Sequence, residues 1–444
     1  MQQTNNALLS WPHEVPASVA HTWADAHFIH ALELGPSQWW QQWQAGRLAE
    51  LRAWLGEKTW WNAWAVGRGG PPSSTAALDG LPIMTREDYR RLIAAHAPEA
   101  PASHGAISDY STSGSSGVPV TFWRTEMALR INANHYWADH QRQGRDLARR
   151  MAVISGFTGE HGGTHRIDPG EPWLRPGQQL CRLVTHFSMD EHAQWLCENT
   201  IDYLATTPAT LSAVLSAMHR LVLTPPRIAQ VLTSSYCVDT ELRERTRETF
   251  GASIRDRYSC EEVGPLAFQC PESDAYYHCA VANALIEVVD DRGHHVASNE
   301  QGNVLITGLH QWSSPAVRYE LGDIAAWHPT CPGCGTTVPA LSQLLGRKHF
   351  LIKRPNGEWH HIRMLAEHWL PCAPFLEYRL VQTTPITFRA EVVLGHAITP
   401  TEVQSTIAML QALIGTEYTF ELVQLNAIAW PPGRKRQEFV GLLP

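Results

Sequence analysis

An alternation of strand and helix occurs three times between residues 180 and 250, and it constrains the fold of this chain most strongly. Short apolar segments precede longer segments of helical periodicity, pairing 180–185 with 189–200, 203–206 with 208–223, and 230–233 with 240–250. Repeated strand–helix units predict a parallel sheet covered by helices. The expected fold class is therefore α/β.

The segments before these units are mostly helical. Trp, Leu and Ala recur three and four residues apart from about 17 to 67, which predicts two or three helices. Thr85 precedes acidic residues and is expected to cap another helix, and a further helix is expected over 125–150. A short buried strand is expected at 151–154. Residues 156–177 are rich in Gly, His and Pro and are expected to form a loop over a cleft.

From residue 254 the pattern changes to strands and turns, with strands expected at 284–290, 302–307 and 325–328. After about residue 350, the expected elements are strands at 378–380, 388–394 and 418–425 and helices near 362–370 and 400–414. We therefore expect a large N-terminal domain, residues 1–347, with helix-flanked sheets plus a β-rich subdomain. A small mobile α+β C-terminal domain, residues 348–444, is expected to follow.

Composition narrows the functional classes. The 444 residues are 44% apolar and 18% charged, which is typical of a globular protein, and the net charge of −8 argues against nucleic acid as the partner. The sequence contains no apolar run long enough to cross a membrane, and residues 1–9 lack the features of a secretory signal. The nine cysteines are scattered except for one Cys-x-x-Cys. This usage favours a reducing cytoplasm and a metal site over a disulfide framework.

The stretch from Tyr110 to Pro119 combines five Ser and Thr hydroxyls with two glycines. Glycine lets the backbone approach a ligand closely, and successive N–H groups with Ser and Thr hydroxyls suit phosphate oxygens. The alternative is a flexible Ser/Gly linker. The residues that follow alternate like a strand, which favours a pinned loop. The stretch lacks the Gly-Lys-Ser/Thr ending of a nucleotide P-loop.

Four more motifs follow this loop in the chain: Tyr258–Pro265, Arg318–Asp323, Gly346-Arg347 and Pro431–Arg436. With Thr112–Pro119, they resemble, in order, the motifs of the adenylate-forming superfamily of acyl-CoA ligases. The similarity covers nearly the whole chain and is to the phenylacetate–CoA ligase-like and capsule-biosynthesis-like branch. Arg318–Asp323 is the most specific match, being similar to the family's Arg-Tyr-Arg-Thr-Gly-Asp.

The resemblance implies a role for each matched residue. The phosphates of ATP would contact the loop residues Thr112, Ser113, Gly114, Ser115, Ser116 and Gly117. Tyr258 would stack near adenine, and Glu262 would hold Mg²⁺. Asp323 would accept hydrogen bonds from the two ribose hydroxyls. Arg347, which precedes the hinge in sequence, would contact the nucleotide. Lys435, with Arg434 as the alternative, would reach the α-phosphate and the attacking carboxylate.

The chain departs from the family pattern at three positions. Val118 replaces a lysine in the loop, and His349 and Phe350 replace an acidic pair at the hinge, which puts the second half-reaction in doubt. Each later motif also has an ordinary structural alternative. Residues 258–265 could be a surface turn with a solvated acidic pair, 318–323 a tight turn closing two strands, and 431–436 a basic tail in solvent.

Cys331 and Cys334 form the Cys-x-x-Cys, and Cys270 and His278 precede them in the sequence. Four such ligands from two hairpins suit a closed, tetrahedral structural Zn²⁺. Cys279 and His328 are spare candidate ligands. The alternative is a set of buried free thiols.

The resemblance implies ATP-dependent activation of a carboxylic acid, aryl or heteroaryl, as acyl-AMP with release of pyrophosphate. Coenzyme A is the expected acceptor, with amide formation or handover to a partner enzyme as the alternative. Two rival hypotheses stay open at this point: a nucleotide-binding homologue without turnover, and a zinc-ribbon interaction protein. A homodimer is also left open.

Overall fold

The computed structural model describes residues 17–70, 78–111, 120–146, 149–155, 164–167, 179–184, 187–235, 238–347, 351–354, 359–362, 366–369, 371–428 and 439–442. The α-helices in these residues are Ala17–Leu34 (α1), Ser37–Gly56 (α2), Thr59–Gly67 (α3), Arg86–Ala95 (α4), Glu126–Arg142 (α5), Met189–Glu198 (α6), Pro208–Arg220 (α7), Thr240–Phe250 (α8), Ala366–Trp369 (α9) and Pro400–Ile414 (α10).

The strands fall into one large sheet and three small ones. The first half of the chain contributes Ile107–Ser111 (β1), Thr121–Thr125 (β2), Met151–Ser155 (β3), Thr164–Ile167 (β4), Gln179–Leu183 (β5), Tyr203–Thr206 (β6) and Gln230–Ser234 (β7). The middle contributes Ser253–Cys260 (β8), Gly264–Gln269 (β9), Tyr277–Cys279 (β10), Ala284–Val289 (β11), Gln301–Gly308 (β12), Tyr319–His328 (β13) and Ala340–Arg347 (β14). The remaining strands are Leu351–Lys353 (β15), Trp359–His361 (β16), Glu377–Thr384 (β17), Thr387–Val393 (β18), Thr419–Gln424 (β19) and Phe439–Val440 (β20).

The predicted strand–helix units form the parallel half of the large sheet. Strands β5, β3, β6, β7 and β8 are neighbours in that order, and each pair is parallel. Helices α6, α7 and α8 follow β5, β6 and β7, and their apolar faces pack with these strands in one core cluster. The predicted α/β class is confirmed.

The large sheet continues from β8 into an antiparallel half. The order from β8 outwards is β9, β10, β14, β13, β12 and β11. These strands are buried over most of their length, and a second core cluster joins them to helices α2, α3 and α4. The predicted β-rich part is therefore an extension of the same sheet.

Two elements differ from the sequence-based expectation. Helix α5 ends at Arg142, well before residue 150, because Gly144 adopts a φ of +64° that a helix cannot continue through. The predicted loop at 156–177 contains strand β4, which pairs antiparallel with β5. The rest of that segment lies outside the described residues.

Residues after 350 form a core of their own. The third cluster runs from Ile352 to Phe439 and contains residues of β17, β18, β19 and α10. These strands form a four-stranded mixed sheet in the order β19, β18, β17, β20. The expected α+β pattern of this part is confirmed, whereas the predicted boundary at 347/348 stays a prediction.

A search of the described helices for one both long and apolar enough to cross a bilayer finds none.

Candidate active site

The first candidate motif, Tyr258–Pro265, comprises the end of β8, the turn at residues 261–263 and the start of the antiparallel strand β9, and is called the 258–265 turn below. Tyr258 lies opposite Ala267, and Cys260 lies opposite Gly264. Gly264 has a φ of +97°, and a Cβ there would lie 2.4 Å from the buried side chain of Asn132. Only glycine allows this turn to pack so closely on α5.

The hydroxyl of Tyr258 donates a hydrogen bond of 2.7 Å to Asp323 Oδ2. Asp323 lies within β13 and is 6% exposed. Two of the predicted nucleotide-binding residues, 65 positions apart in sequence, are therefore in direct contact. Residues 319–323 are strand, so the alternative of a tight turn for this motif is wrong.

A second tyrosine–carboxylate hydrogen bond joins the same two segments. Here the tyrosine belongs to β13 and the carboxylate to the 258–265 turn. Tyr319 of β13 donates a hydrogen bond of 3.0 Å to Glu262 Oε1, and Arg86 Nη1 lies 3.7 Å from the same oxygen. Glu262 is 3% exposed, whereas the side chain of Glu261 is 61% exposed. The surface-turn alternative therefore describes Glu261 and is wrong for Glu262.

Burial and the neighbouring Glu262 carboxylate raise the pKa of Tyr319, so its hydroxyl keeps its proton and stays a donor. Glu262 Oε2 makes no hydrogen bond with the part of the chain that the structure describes. One oxygen of Glu262 is thus held in place while the other remains available to a ligand.

These two contacts require a strongly curved sheet. Strands β14, β10 and β9 lie between β13 and β8 in the sheet order. At about 4.8 Å per strand, four steps of a flat sheet would separate the two strands by about 19 Å, more than two side chains can bridge. The antiparallel half must therefore curl until the 258–265 turn faces β13.

Arg318, next to Tyr319, is a structural residue of this motif. Its guanidinium is buried and pairs with both carboxylate oxygens of Glu287 at 3.1–3.2 Å, and it also donates to the Leu81 carbonyl at 2.9 Å. Its φ of +45° is unusual for an arginine. Arg318 N donates to Thr307 Oγ1 at 3.0 Å. These contacts fix the start of β13 and hence the position of Tyr319.

Helix α4 also reaches this motif. Thr85 caps α4 by accepting a hydrogen bond from Asp88 N at 3.2 Å, which places Arg86 in the first turn. Met84 N donates to the Arg318 carbonyl at 3.0 Å, and Glu320 N donates to the Met84 carbonyl at 2.9 Å. The backbone of β13 thereby determines where Arg86 meets Glu262. Sequence reasoning missed Arg86, since nothing but its place behind a helix cap singles it out.

Arg347 lies opposite Asp323 in the register of β13 and β14. Gly346, the residue before it, lies opposite Ile324 in the same pairing and has a φ of +76°. The structure therefore brings the backbone of Arg347 beside Asp323. The hinge positions His349 and Phe350 lie outside the described residues.

The predicted phosphate loop connects β1 and β2, which pair antiparallel from Ile107↔Thr125 to Ser111↔Thr121. The expected strand after the loop is confirmed as β2. The loop residues Thr112–Gly117 themselves lie outside the described residues, as do Arg434 and Lys435.

The four predicted metal ligands come together. The ligand atoms of Cys270, His278, Cys331 and Cys334 all lie within 4.8 Å of one another, and Cys334 Sγ lies 3.3 Å from His278 Nε2. All but Cys334 are buried. Two thiolates on a tetrahedral zinc with Zn–S bonds of about 2.3 Å lie about 3.8 Å apart, so this donor set fits such an ion. His328 instead contacts Ser342 Oγ at 2.8 Å, and Cys279 is outside the cluster.

Strand β10, which carries His278, and two loops build this cluster. The backbone N–H of Cys270 donates to the Tyr276 carbonyl at 2.8 Å, and that of Gly335 donates to the Cys331 carbonyl at 2.8 Å. A Cβ at Gly333 would lie 2.7 Å from Ser273 Cβ, so the two loops touch where glycine alone fits. Burial raises the pKa of the Cys270 thiol to about 12 and lowers the pKa of His278 to about 3. A bound dication would reverse the effect on the thiol by favouring the thiolate.

The large mixed sheet and the α+β unit after residue 350 together define the fold of this chain. Crystal structures of 2-hydroxyisobutyryl-CoA ligase share it. With the ligase in the postadenylation state with 2-HIB-AMP, the TM-score is 0.66 at 19% identity, covering 97% of this chain and 95% of that chain. With its open conformation in complex with 2-HIB-AMP and CoA, the TM-score is 0.61 at 20% identity, covering 98% of each chain.

Comparison with protein-family models finds no match. Comparison with curated protein sequences finds none either. The similarity to known proteins is therefore one of fold.

Proposed function

We propose that this protein is an AMP-forming carboxylate ligase that activates a carboxylic acid with ATP and then transfers the acyl group to coenzyme A. The observation that carries the proposal is the contact between two distant motifs through Tyr258–Asp323 and Glu262–Tyr319. A structural turn has no need of two buried carboxylates that each accept a tyrosine hydroxyl. The shared fold with a ligase crystallised with acyl-AMP and CoA supports the same reaction class.

The nucleoside end of ATP would bind at Tyr258 and Asp323. The Tyr258 hydroxyl fixes one carboxylate oxygen of Asp323 at 2.7 Å and so orients the group before the ribose arrives. A carboxylate held in this way can accept two hydroxyl protons in a defined geometry. Arg347, opposite Asp323 in the register, would approach the same nucleotide.

The phosphate end would be held by Thr112–Gly117 and by Glu262. Glu262 fits a Mg²⁺ ligand, because Tyr319 donates to Oε1 whereas Oε2 has no hydrogen-bond partner among the described residues. Mg²⁺ prefers carboxylate and phosphate oxygens and would neutralise charge on the triphosphate. The Tyr319 hydrogen bond keeps Glu262 oriented in the interior.

The first chemical step would be attack of the acid's carboxylate oxygen on the α-phosphorus. The bond from that phosphorus to the bridging oxygen breaks, which releases pyrophosphate and leaves acyl-AMP. Lys435 would stabilise the charge that builds up around phosphorus. In the second step the thiol of coenzyme A, on losing its proton, attacks the acyl carbonyl and AMP leaves.

Residues 348–444 would act as a lid that brings Lys435 to the nucleotide and later admits the acceptor. Hinge closure of a small domain commonly gates such reactions. We propose an aryl or heteroaryl acid, a cytoplasmic location, and a structural Zn²⁺ at Cys270, His278, Cys331 and Cys334. An amine acceptor is the alternative to coenzyme A.

The test is a pyrophosphate-release assay with Mg-ATP and a panel of aryl, heteroaryl and fatty acids. We expect release with at least one acid, and a loss of at least about a hundredfold in kcat for Lys435→Ala. Lys58→Ala is the matched control, since Lys58 pairs with Glu99 at 2.9 Å on a different part of the chain.

Unchanged turnover in Lys435→Ala would refute the lysine assignment, and Arg434→Ala would then test the alternative. Nucleotide binding without release for any acid would favour the rival hypothesis, a nucleotide-binding homologue. Val118, His349 and Phe350 are the sequence features that motivate this rival.

A further inference from the structure

We propose that Arg124 is a positioning residue that couples strands β1 and β2, which flank the phosphate loop in sequence, to the turn carrying Glu262. The inference rests on the proposed function and concerns a side chain that none of the motifs includes. Arg124 lies on β2, the strand that follows the phosphate loop. Its side chain reaches the 258–265 turn.

Contacts with three residues hold the Arg124 side chain in place. Its guanidinium Nη2 donates to the backbone carbonyl of Glu261 and lies 3.4 Å from Glu261 Oε2. The guanidinium also lies over the rings of Tyr110 and Phe122, at 4.7 Å and 5.1 Å from their centroids. Tyr110 is the last residue but one before the loop. Arg124 thus bridges both strands of the hairpin and the residue directly before Glu262.

The other side of the hairpin is fixed to a second motif region. Trp123 N donates to Ser314 Oγ at 2.8 Å, and Ser313 Oγ donates to the Trp123 carbonyl at 2.9 Å. Both serines are fully buried and precede Arg318 in sequence. The hairpin is therefore held between the 258–265 turn and the segment leading into β13.

The acceptor on the turn is mainly a backbone carbonyl. A hydrogen bond from arginine to a carbonyl constrains the path of the main chain, and here that path carries Glu262. Without it, the turn and the β1–β2 hairpin would lose their fixed separation. A triphosphate that contacts the loop and a Mg²⁺ at Glu262 would then bind less tightly, although neither touches Arg124.

The experiment is a calorimetric titration of the full-length protein with ATP at several Mg²⁺ concentrations, and it needs no knowledge of the acid. For Arg124→Ala we expect Kd for ATP to rise about tenfold at saturating Mg²⁺. The half-saturating Mg²⁺ concentration should rise as well. Arg124→Lys loses the planar stacking on the rings but keeps the charge, so its Kd for ATP should lie between those of the wild type and Arg124→Ala.

Two controls separate positioning from loss of structure. Glu261→Ala keeps the acceptor carbonyl and should raise Kd no more than about twofold. Arg91→Ala removes an exposed surface arginine from α4 and should bind like the wild type. A thermal midpoint for Arg124→Ala within about 4 °C of the wild type would show that the fold is retained.

The inference is overturned if Arg124→Ala binds ATP with unchanged Kd and unchanged Mg²⁺ dependence. It is also overturned if Arg124→Ala shows a lower stoichiometry of ATP binding with the same Kd, since the variant would then contain fewer folded sites of normal affinity. If the wild type itself binds no ATP, the proposed function fails together with it. If the wild type binds ATP and Arg124→Ala binds it equally well, this inference fails and the proposed function stands.

Discussion

At the scale of single residues, the charge of Asp323 is expected to determine how tightly the nucleotide binds. Asp323→Asn keeps an oxygen for the Tyr258 hydroxyl but exchanges the second acceptor for a donor. We expect Kd for Mg-ATP to rise about tenfold or more, as for loss of a hydrogen bond to a charged group. Isothermal titration calorimetry measures it.

The matched control is Asp190→Asn, which alters an exposed carboxylate paired with Arg220 on a distant helix. It should bind as the wild type does. Equal affinities for both variants would mean that Asp323 does not contact the nucleotide.

Asp256 gives a prediction for the pH dependence of stability. It is buried and accepts hydrogen bonds from Thr233 Oγ1 at 2.6 Å and from the Tyr277 hydroxyl at 3.0 Å, and burial raises its pKa to about 6. Between pH 4 and 6 the folded state keeps a proton that the unfolded state has lost. This contribution to stability is full below pH 4 and disappears as the pH rises through 6, by roughly 3 kcal/mol in total.

Asp256→Asn removes that titration. The free energy of unfolding of the variant, relative to the wild type, should therefore increase by roughly 3 kcal/mol between pH 4 and pH 7. Urea unfolding at the two pH values measures it. His135 and His310 are also buried, and burial lowers their pKa values to about 3, so their contribution to stability grows as the pH rises. Both histidines are present in the variant and in the wild type, and their contribution therefore cancels in the difference. A constant difference would show that Asp256 is ionised in the folded protein throughout.

At the scale of elements, the loop with Cys331 and Cys334 fastens the first helices to the sheet. Thr336 Oγ1 donates to the Glu33 carbonyl at 3.2 Å, Thr337 Oγ1 donates to the Gly35 carbonyl at 2.8 Å, and Trp40 Nε1 donates to the Thr337 carbonyl at 3.2 Å. A metal that orders this loop would therefore also stabilise the packing of α1 and α2.

We expect elemental analysis of the native protein to find one zinc per chain. Cys331→Ser should lose the metal and lower the thermal midpoint, since a closed zinc site contributes on the order of 10 kcal/mol to local folding. Cys279→Ala changes a buried cysteine outside the cluster and should keep the zinc. Native protein without zinc would remove the metal proposal and leave a cluster of buried thiols.

The elements that the sequence predicts best have their signals inside a short window. Both ends of α8 are predicted correctly, because each has a local signal. Asp239 caps the start by accepting a hydrogen bond from Leu242 N at 2.7 Å, and Gly251 ends the helix with a φ of +70°. Helix α5 is predicted too long, because its apolar pattern continues past the single glycine at 144. Strand β4 is missed because a four-residue edge strand among glycines carries too little periodicity.

At the scale of the whole molecule, sequence order predicts which motifs exist but not how they meet. The resemblance selects Tyr258, Glu262 and Asp323, and the structure adds the hydrogen bonds that orient them. Those contacts join strands that are four steps apart in the sheet, so they depend on its curvature. No local pattern encodes that curvature, and for the same reason Arg86 and Arg124 carry no sequence signal of their own.

The central claim is that one ATP molecule binds against both the 258–265 turn and strand β13. Crystals grown with Mg-ATP, or with AMP, test it most directly. We predict electron density for the ribose hydroxyls about 3 Å from the Asp323 carboxylate, with adenine beside Tyr258. Nucleotide density elsewhere on the protein, or none at saturating concentration, would contradict the account.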